Sequence, residues 1–564
     1  MAEKVAMIGL DAAEWWLVEK YIEEGVMPHL DKLRSASRFV KLDAAKAFKA
    51  EGRWTEVLTG RSLEENQYWS IVNFDPTTYS SWYSRSCHGT YFYARPDLRS
   101  IIFDIPNSIV VEDVHGIQIT AWGSHAPQFP SGSQPASVLG RVDREFGVHE
   151  GMLTDGHTGW HNDTYLDNLQ RTMVKGIHQR VDISRWLREQ EPDWDLFVTV
   201  FAESHVGEHQ YLHGLLPDHP LYGTGWADRA ADRMREIFAE LDTAVGDMVA
   251  EFDDDTTVIV FAGHGMMTNA SDVTGAVLIP ELLHRMAFGE PMIDFDPFDP
   301  DQPFVELDQE SLPRHWLEAR LRTPTPVTTS GLRSLPKKLV RRVRHHLPET
   351  WLNKFEKRYW KRPDWWEMNI RPLTPLHTRD LYGEASRIEL ESVAAASWYR
   401  PYWAQMRSFV IPSFSDCHIR INLKGREADG IVEPEDYEAE CDAVEAELRA
   451  LVNPRNGSPI VKEVLRVRAG DPMAEIGPAP DLLVTFHETA DTIEHPEHGL
   501  VGPCPLMRSG EHTPNGWAII ATPDGETGDL GVIEPRDLTA TVIDLLDVPE
   551  SPLVTGTSAL ASSE

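Results

Sequence analysis

Three apolar runs in this chain stop at residues able to carry chemistry, and that pattern constrains the fold more than any other feature. VAMIGL (5–10) runs into Asp11, DLFVTVF (195–201) into ESHVGEH with Glu203, His205 and His209, and VIVFA (258–262) into Gly-His-Gly with His264. Short apolar runs of this kind read as buried parallel strands. The third run reads as a strand over Thr256–Phe261, and similar runs fall at Ser108–Val111, Ile117–Ala121, Leu482–Phe486 and Trp517–Ala521, with helical patterns between several of them, as at Ala13–Glu24 and Gly223–Phe252. The alternation predicts an α/β fold: a central, mostly parallel β-sheet with helices on both faces. Ligands bind such sheets at the carboxyl ends of the strands. Asp11, Glu203–His209 and His264 therefore share one address.

The residue types at that address point to a metal ion. His205 and His209 are four apart, so on a helix they face the same way with a separation suited to one ion. His264 lies between glycines that let the backbone turn tightly after its strand. His512, in SGEHTPNG, precedes another apolar run. Imidazoles with one carboxylate fit zinc or a similar divalent ion, which can polarise a phosphoryl oxygen or produce hydroxide near neutral pH. Asp11 could instead cap the helix that follows it.

Composition excludes other classes. The formal net charge is -36, so a general nucleic-acid binder, which neutralises phosphates with Lys and Arg, is not expected. An anionic substrate would need a local positive centre to offset the acidic surface. Cys87, Cys417, Cys441 and Cys504 are far apart, with no CxxC pair to build a disulfide framework or zinc knuckle. No run approaches the ~20 apolar residues of a spanning helix, and the amino terminus has no signal peptide pattern. These features predict a cytoplasmic protein.

Residues 279–381 break the rhythm, being rich in Pro, Trp and charge, with a strongly basic stretch over 333–366. This divides the chain into a first core part (1–278), an inserted cap-like region (279–381) and a second core part (382–564). The basic stretch reads either as a solvated helical insertion or as a surface for peripheral lipid or glycan contact. Elsewhere, His125 in WGSHA and Lys424 and Arg426 in INLKGRE are candidates to meet an anionic substrate, or to serve as a loop histidine and salt-bridge partners.

The order of these motifs resembles the alkaline phosphatase superfamily, and within it the type I phosphodiesterase/nucleotide pyrophosphatase branch. The stretches are GLDA at Asp11, WTEVLTG (54–60), the strand before Glu203–His209, the strand before His264, and the His512 loop. RINLKGREADGIVEPEDYEAE (420–440), APDLLVTFHE (479–488) and DLTATVIDLLDVPESPLVTGTSAL (537–560) resemble the branch's late region. The resemblance implies a catalytic Ser or Thr four residues before Trp54, and Ala50 stands there. It implies Asp where this chain has Gly263 and His205, and His where it has Asn66. One ion held by His205, His209 and His512 is thus expected ahead of two, with Asp11 and His264 holding a second ion or orienting the first. Glu203 and Glu51 could supply a further ligand. Glu51 could also act as base or unusual nucleophile, with Asp11 beside it in the catalytic set; Thr55 is a further nearby hydroxyl. The function implied is metal-dependent hydrolysis of a small anionic ester: a phosphodiester, a phosphomonoester or a sulfate ester. The alternatives are a catalytically degenerate anionic-ligand binder and a transferase moving a phospho-substituent onto a glycan or lipid.

Overall fold

The computed structural model describes residues 4–43, 52–83, 89–123, 131–150, 163–224, 227–305, 307, 313–322, 395–413, 416–468, 471–473, 479–549 and 553–561. Its centre is a nine-stranded sheet. The strand order is Gly528–Ile533, Arg38–Leu42, Gly516–Ala521, Thr256–Ala262, Lys4–Leu10, Leu196–Phe201, Ser100–Phe103, Gly116–Thr120, Gly132–Gln134. The five strands from Thr256–Ala262 to Gly116–Thr120 run parallel, with Ala6 opposite both Phe197 and Val258.

Alternation along the first strand shows why the sheet is covered on both sides. Ala6, Ile8 and Leu10 enter one core with the helices Trp15–Glu23, Asp163–Gln190 and Ala227–Ala250. Val5 and Met7 enter another with the helices Arg53–Thr59 and Pro535–Leu545. Successive side chains on a strand point to opposite faces, so a run buried on both faces must be apolar throughout. Each Val, Leu or Ile so buried contributes roughly 1.5–3 kcal/mol. All six residues of Leu196–Phe201 are buried accordingly, and the one polar member, Thr199, accepts from Arg180 Nη1 at 3.4 Å.

Two strand expectations need correcting. Residues 108–111 form no strand. Their backbone donors go to side chains, from Ile109 to the Tyr91 hydroxyl at 3.0 Å and from Val111 to Gln118 Oε1 at 3.0 Å. Asn107 just before them sits at φ 59°, which turns the chain out of the sheet. The strand in that region is the earlier run Ser100–Phe103. Leu482–Phe486 is a strand, but it belongs to a separate four-stranded antiparallel sheet, ordered Ser408–Ile411, Cys417–Ile421, Leu482–Phe486, Val461–Arg466. That sheet shares its own core with the helices Ile279–Phe288 and Tyr437–Arg449. Trp517 and its neighbours do lie in the central sheet, antiparallel to both adjoining strands. The basic stretch 333–366 lies outside the described residues. Among the described residues, no helix is long and apolar enough to cross a membrane.

Candidate metal centre

The carboxyl edge of the parallel strands carries the site. Asp11 follows Leu10, Glu203 opens the helix Glu203–Tyr211 just after Phe201, and His264 follows Ala262 by two residues. Three non-glycine residues on this edge have left-handed backbone: Ala12 at φ 56°, Asp104 at φ 66° and Ala121 at φ 48°. Such conformations persist only where the surroundings over-determine them, and they cluster at functional sites.

Four histidines converge here. His205 and His209, one turn apart on the helix, have ring centroids 4.6 Å from each other. His512 lies 4.7 Å from His205 and 4.9 Å from His209. It arrives on the strand Gly510–Thr513, which pairs with Gly265–Thr268 so that His512 stands opposite Met266. The His264 ring stacks on His512 at 4.7 Å. Ligand atoms of His205, His209 and His512 all lie within 4.8 Å of one another, and so do those of Asp11, His205 and His264. All five residues are buried.

The donors fit a divalent ion. His512 Nδ1 is buried with no hydrogen-bond partner. Burial, reinforced by the neighbouring histidines and Arg508, pushes His512 well below the ordinary imidazole pKa, so it stays neutral as a ligand must. His209 Nδ1 lies 2.7 Å from the Gly510 carbonyl oxygen. A carbonyl only accepts, so Nδ1 carries the proton and Nε2 offers the lone pair. His205 Nδ1 lies 3.1 Å from Asp11 Oδ2, and Asp11 Oδ1 accepts from Trp54 Nε1 at 3.0 Å. A carboxylate behind an imidazole fixes its ring and raises its basicity as a ligand. Gly510 makes the His209 bond feasible: a Cβ there would stand 2.5 Å from the Glu208 carbonyl oxygen.

Glu14 ties the pieces together. Its Oε2 accepts from the Met266 amide and the Thr513 hydroxyl, both at 3.0 Å, and its own amide donates to Glu208 Oε1 at 3.2 Å. Burial, with the Glu14 charge adding to it, drives the Glu208 carboxyl well above the usual range. Burial raises Glu14 as well.

The remaining sequence candidates stand elsewhere. Glu203 turns to His149, with Oε1 and Nε2 2.8 Å apart. Burial alone would raise its carboxyl, but the His149 bond and the Arg180 charge outweigh it and hold Glu203 below its ordinary value. Arg180 is itself fully buried and bonds Asp104 Oδ2 at 2.8 Å. A Cβ at Gly176 would lie 2.1 Å from His149 Nε2 and 2.9 Å from Glu203 Oε1. A glycine inside a helix costs about 1 kcal/mol against alanine, and the His149–Glu203 pair is what requires it. Gly176→Ala is therefore expected to destabilise the protein by about 1–3 kcal/mol despite its better helix propensity, read as a lowered urea midpoint.

Arg426 meets Asp481 through two bonds of 2.7 Å, and Lys424 pairs with Glu433; both belong to the second sheet's lobe. Asn66 donates to the Thr59 hydroxyl at 2.9 Å. Ala50, Glu51 and His125 lie outside the described residues. Sequence reasoning passed over Glu14, His149 and Arg508. Only Glu14 carried a local signal, as the acid before the helix WWLVEKYIE, where it accepts from Trp15 at 3.1 Å as a cap.

Comparison with known proteins gives two findings. A family profile described as type I phosphodiesterase / nucleotide pyrophosphatase matches residues 5–314. Two solved structures of phosphonoacetate hydrolase from Sinorhizobium meliloti 1021 also match, one in complex with phosphonoformate (TM-score 0.43) and one with phosphonoacetate (TM-score 0.44). Each is 10% identical and covers 97% of this chain and 96% of its own. No curated protein sequence matches.

Proposed function

Because the chain belongs to the type I phosphodiesterase / nucleotide pyrophosphatase family, we propose that it hydrolyses a small phosphate diester or monoester with the help of one divalent ion, zinc or a similar one. The observation that carries this reading is the buried group His205, His209 and His512, whose ligand atoms lie within 4.8 Å of one another. Three imidazoles are a donor set for zinc and not for magnesium or calcium, which take oxygen ligands. When bound, the ion supplies a Lewis acid for a phosphoryl oxygen and a source of hydroxide near neutral pH.

The residues present favour one ion over two. The second group, Asp11, His205 and His264, shares His205 with the first and brings a single carboxylate. Position 263, where the family resemblance implies a further carboxylate, is glycine, and nothing lies within 4 Å of where its Cβ would stand. Two divalent cations beside one carboxylate would leave several uncompensated positive charges in a buried site, which is costly. Asp11 instead orients His205, and His264 stacks behind His512.

With Ala50 in place of a hydroxyl, the chain has no serine or threonine at that position to form a covalent intermediate. Water is then the nucleophile. The test is metal analysis of the purified protein together with a panel of phosphate diesters, monoesters and sulfate esters. The expected result is a bound divalent ion near one per chain, and hydrolysis that chelation removes and zinc restores. Protein that takes up no divalent ion would sink the reading. Protein that binds an ion but hydrolyses no ester in the panel would favour the ligand-binding alternative.

A further inference from the structure

The acidic surface of this chain leaves an anionic ester in need of a local cation besides the ion, and one guanidinium stands at the histidine cluster. Arg508 lies in the segment leading into the Gly510–Thr513 strand. Its Nε and Nη2 donate in parallel to Asp272, at 2.9 Å to Oδ2 and 3.0 Å to Oδ1. The side chains of both residues are about nine-tenths covered, at 9% and 11% exposure. Asp272 is itself fixed: Asn269 Nδ2 donates to its Oδ2 at 2.8 Å, and the Asp272 amide donates to Asn269 Oδ1 at 3.0 Å. A surface ion pair rarely has such support, because holding two long side chains costs entropy and yields little. Here both carboxylate oxygens are taken up by one edge of the guanidinium. The other edge is thereby aimed at the site, with Nη1 3.1 Å from His209 Nε2.

That contact cannot coexist with a ligated His209. An imidazole nitrogen has one lone pair. The Gly510 carbonyl already fixes the proton on Nδ1, so Nε2 either accepts from Arg508 or holds an ion. We propose that Arg508 is the anion-recognising residue of this centre: its Nη1 edge rests on His209 Nε2 while the imidazole is without an ion, and engages a phosphoryl oxygen of the ester once the imidazole ligates. Asp272 is the pivot, keeping the guanidinium beside the cluster in both arrangements. Arginine suits the task, because its planar fork can hold a carboxylate on one edge and an oxyanion on the other. The proposal rests on the one-ion reading above, since without an ion at His209 nothing displaces the guanidinium.

The test uses chelator-stripped full-length protein, zinc titrated by calorimetry, and inorganic phosphate titrated into the zinc-loaded protein. Arg508→Ala is expected to take up zinc more tightly than the wild type, having lost a competitor for Nε2. Its affinity for phosphate is expected to fall about 10–100-fold, the loss for one charge-assisted hydrogen bond. Arg508→Lys, which keeps the charge and disturbs packing less, is expected to recover part of the phosphate affinity. Asp272→Asn, which loosens the pivot with Arg508 intact, is expected to weaken phosphate binding as well. Wild-type protein that takes up no zinc would bring down the one-ion reading and this proposal with it. Wild-type protein that binds zinc, with all three variants matching it in zinc and phosphate affinity, would overturn the proposal alone.

Discussion

His512→Ala is expected to remove the stabilisation that a divalent ion gives this protein. A ligand that binds the folded chain and not the unfolded one raises stability by RT ln(1 + [L]/Kd), which is about 2.7 kcal/mol at a hundredfold excess over Kd. Wild-type protein titrated with zinc to that excess should show a rise of this size in unfolding free energy. His512 is one of three imidazoles whose ligand atoms meet within 4.8 Å. Losing it should weaken affinity beyond the ~10–100-fold typical of losing an outer partner, so at the same zinc concentration most of the gain disappears. The cavity left beside His264, which stacks on His512 at 4.7 Å, lowers the ion-free stability too. The informative quantity is thus the difference between loaded and stripped protein for each variant. His209→Ala should behave alike, and Trp54→Phe, which removes the hydrogen bond to Asp11 and part of a buried ring but no ligand, should lower the ion-free stability and keep most of the ion's effect. If His512→Ala retained the full zinc-dependent gain, the three-histidine centre would be excluded.

Much of this centre was legible in the chain because its spacing is local. Asp11 and His264 each follow an apolar run by one or two residues, and a helix starting after LFVTVF places His205 and His209 on one face whatever surrounds them. The supports were hidden because each depends on a partner far along the sequence. Glu14 bonds Thr513 across 499 positions, and Arg508 bonds Asp272 across 236. No periodicity encodes such pairs; they exist only once the sheet has brought its carboxyl edge together. Glu203 stands apart from the histidine cluster for the same reason. Its position at a strand end was right, but His149, 54 residues earlier, takes its carboxylate. The second sheet was hidden in another way. LLVTF at 482–486 is as apolar as the central strands, and an apolar run does not say which sheet it will join.

Arg426 presents the contrast between the two kinds of basic residue, and its replacement should show it. Arg426→Ala is expected to destabilise the protein by about 3–5 kcal/mol, the range for removing one partner from a buried ion pair. Its side chain is 7% exposed, and Asp481 opposite it is fully buried. Asp481 also accepts from the Tyr437 hydroxyl at 2.9 Å and the Ile421 amide at 2.6 Å, so it joins the helix Tyr437–Arg449 to the second sheet. Arg468 stands 3.5 Å from the same carboxylate, pushed down to about 10 by burial and by the charges of Arg420 and, less, Arg426. Losing Arg426 relieves part of that repulsion and lets Arg468 take over some of its role, which favours the lower end of the range. The pH dependence follows from Asp481. Burial would raise its carboxyl, but Arg426 and the other two guanidiniums outweigh burial and depress it. A depressed acid gives stability that is fully present above its unfolded pKa of about 3.9 and is lost as pH falls through the lower folded value. The gap between wild type and Arg426→Ala should therefore be constant near neutrality and narrow below about pH 4. Urea unfolding at neutral and acid pH measures this, alongside KM on the best ester from the panel. A residue that bound substrate would raise KM and leave stability alone; the buried pair with Asp481 predicts the reverse.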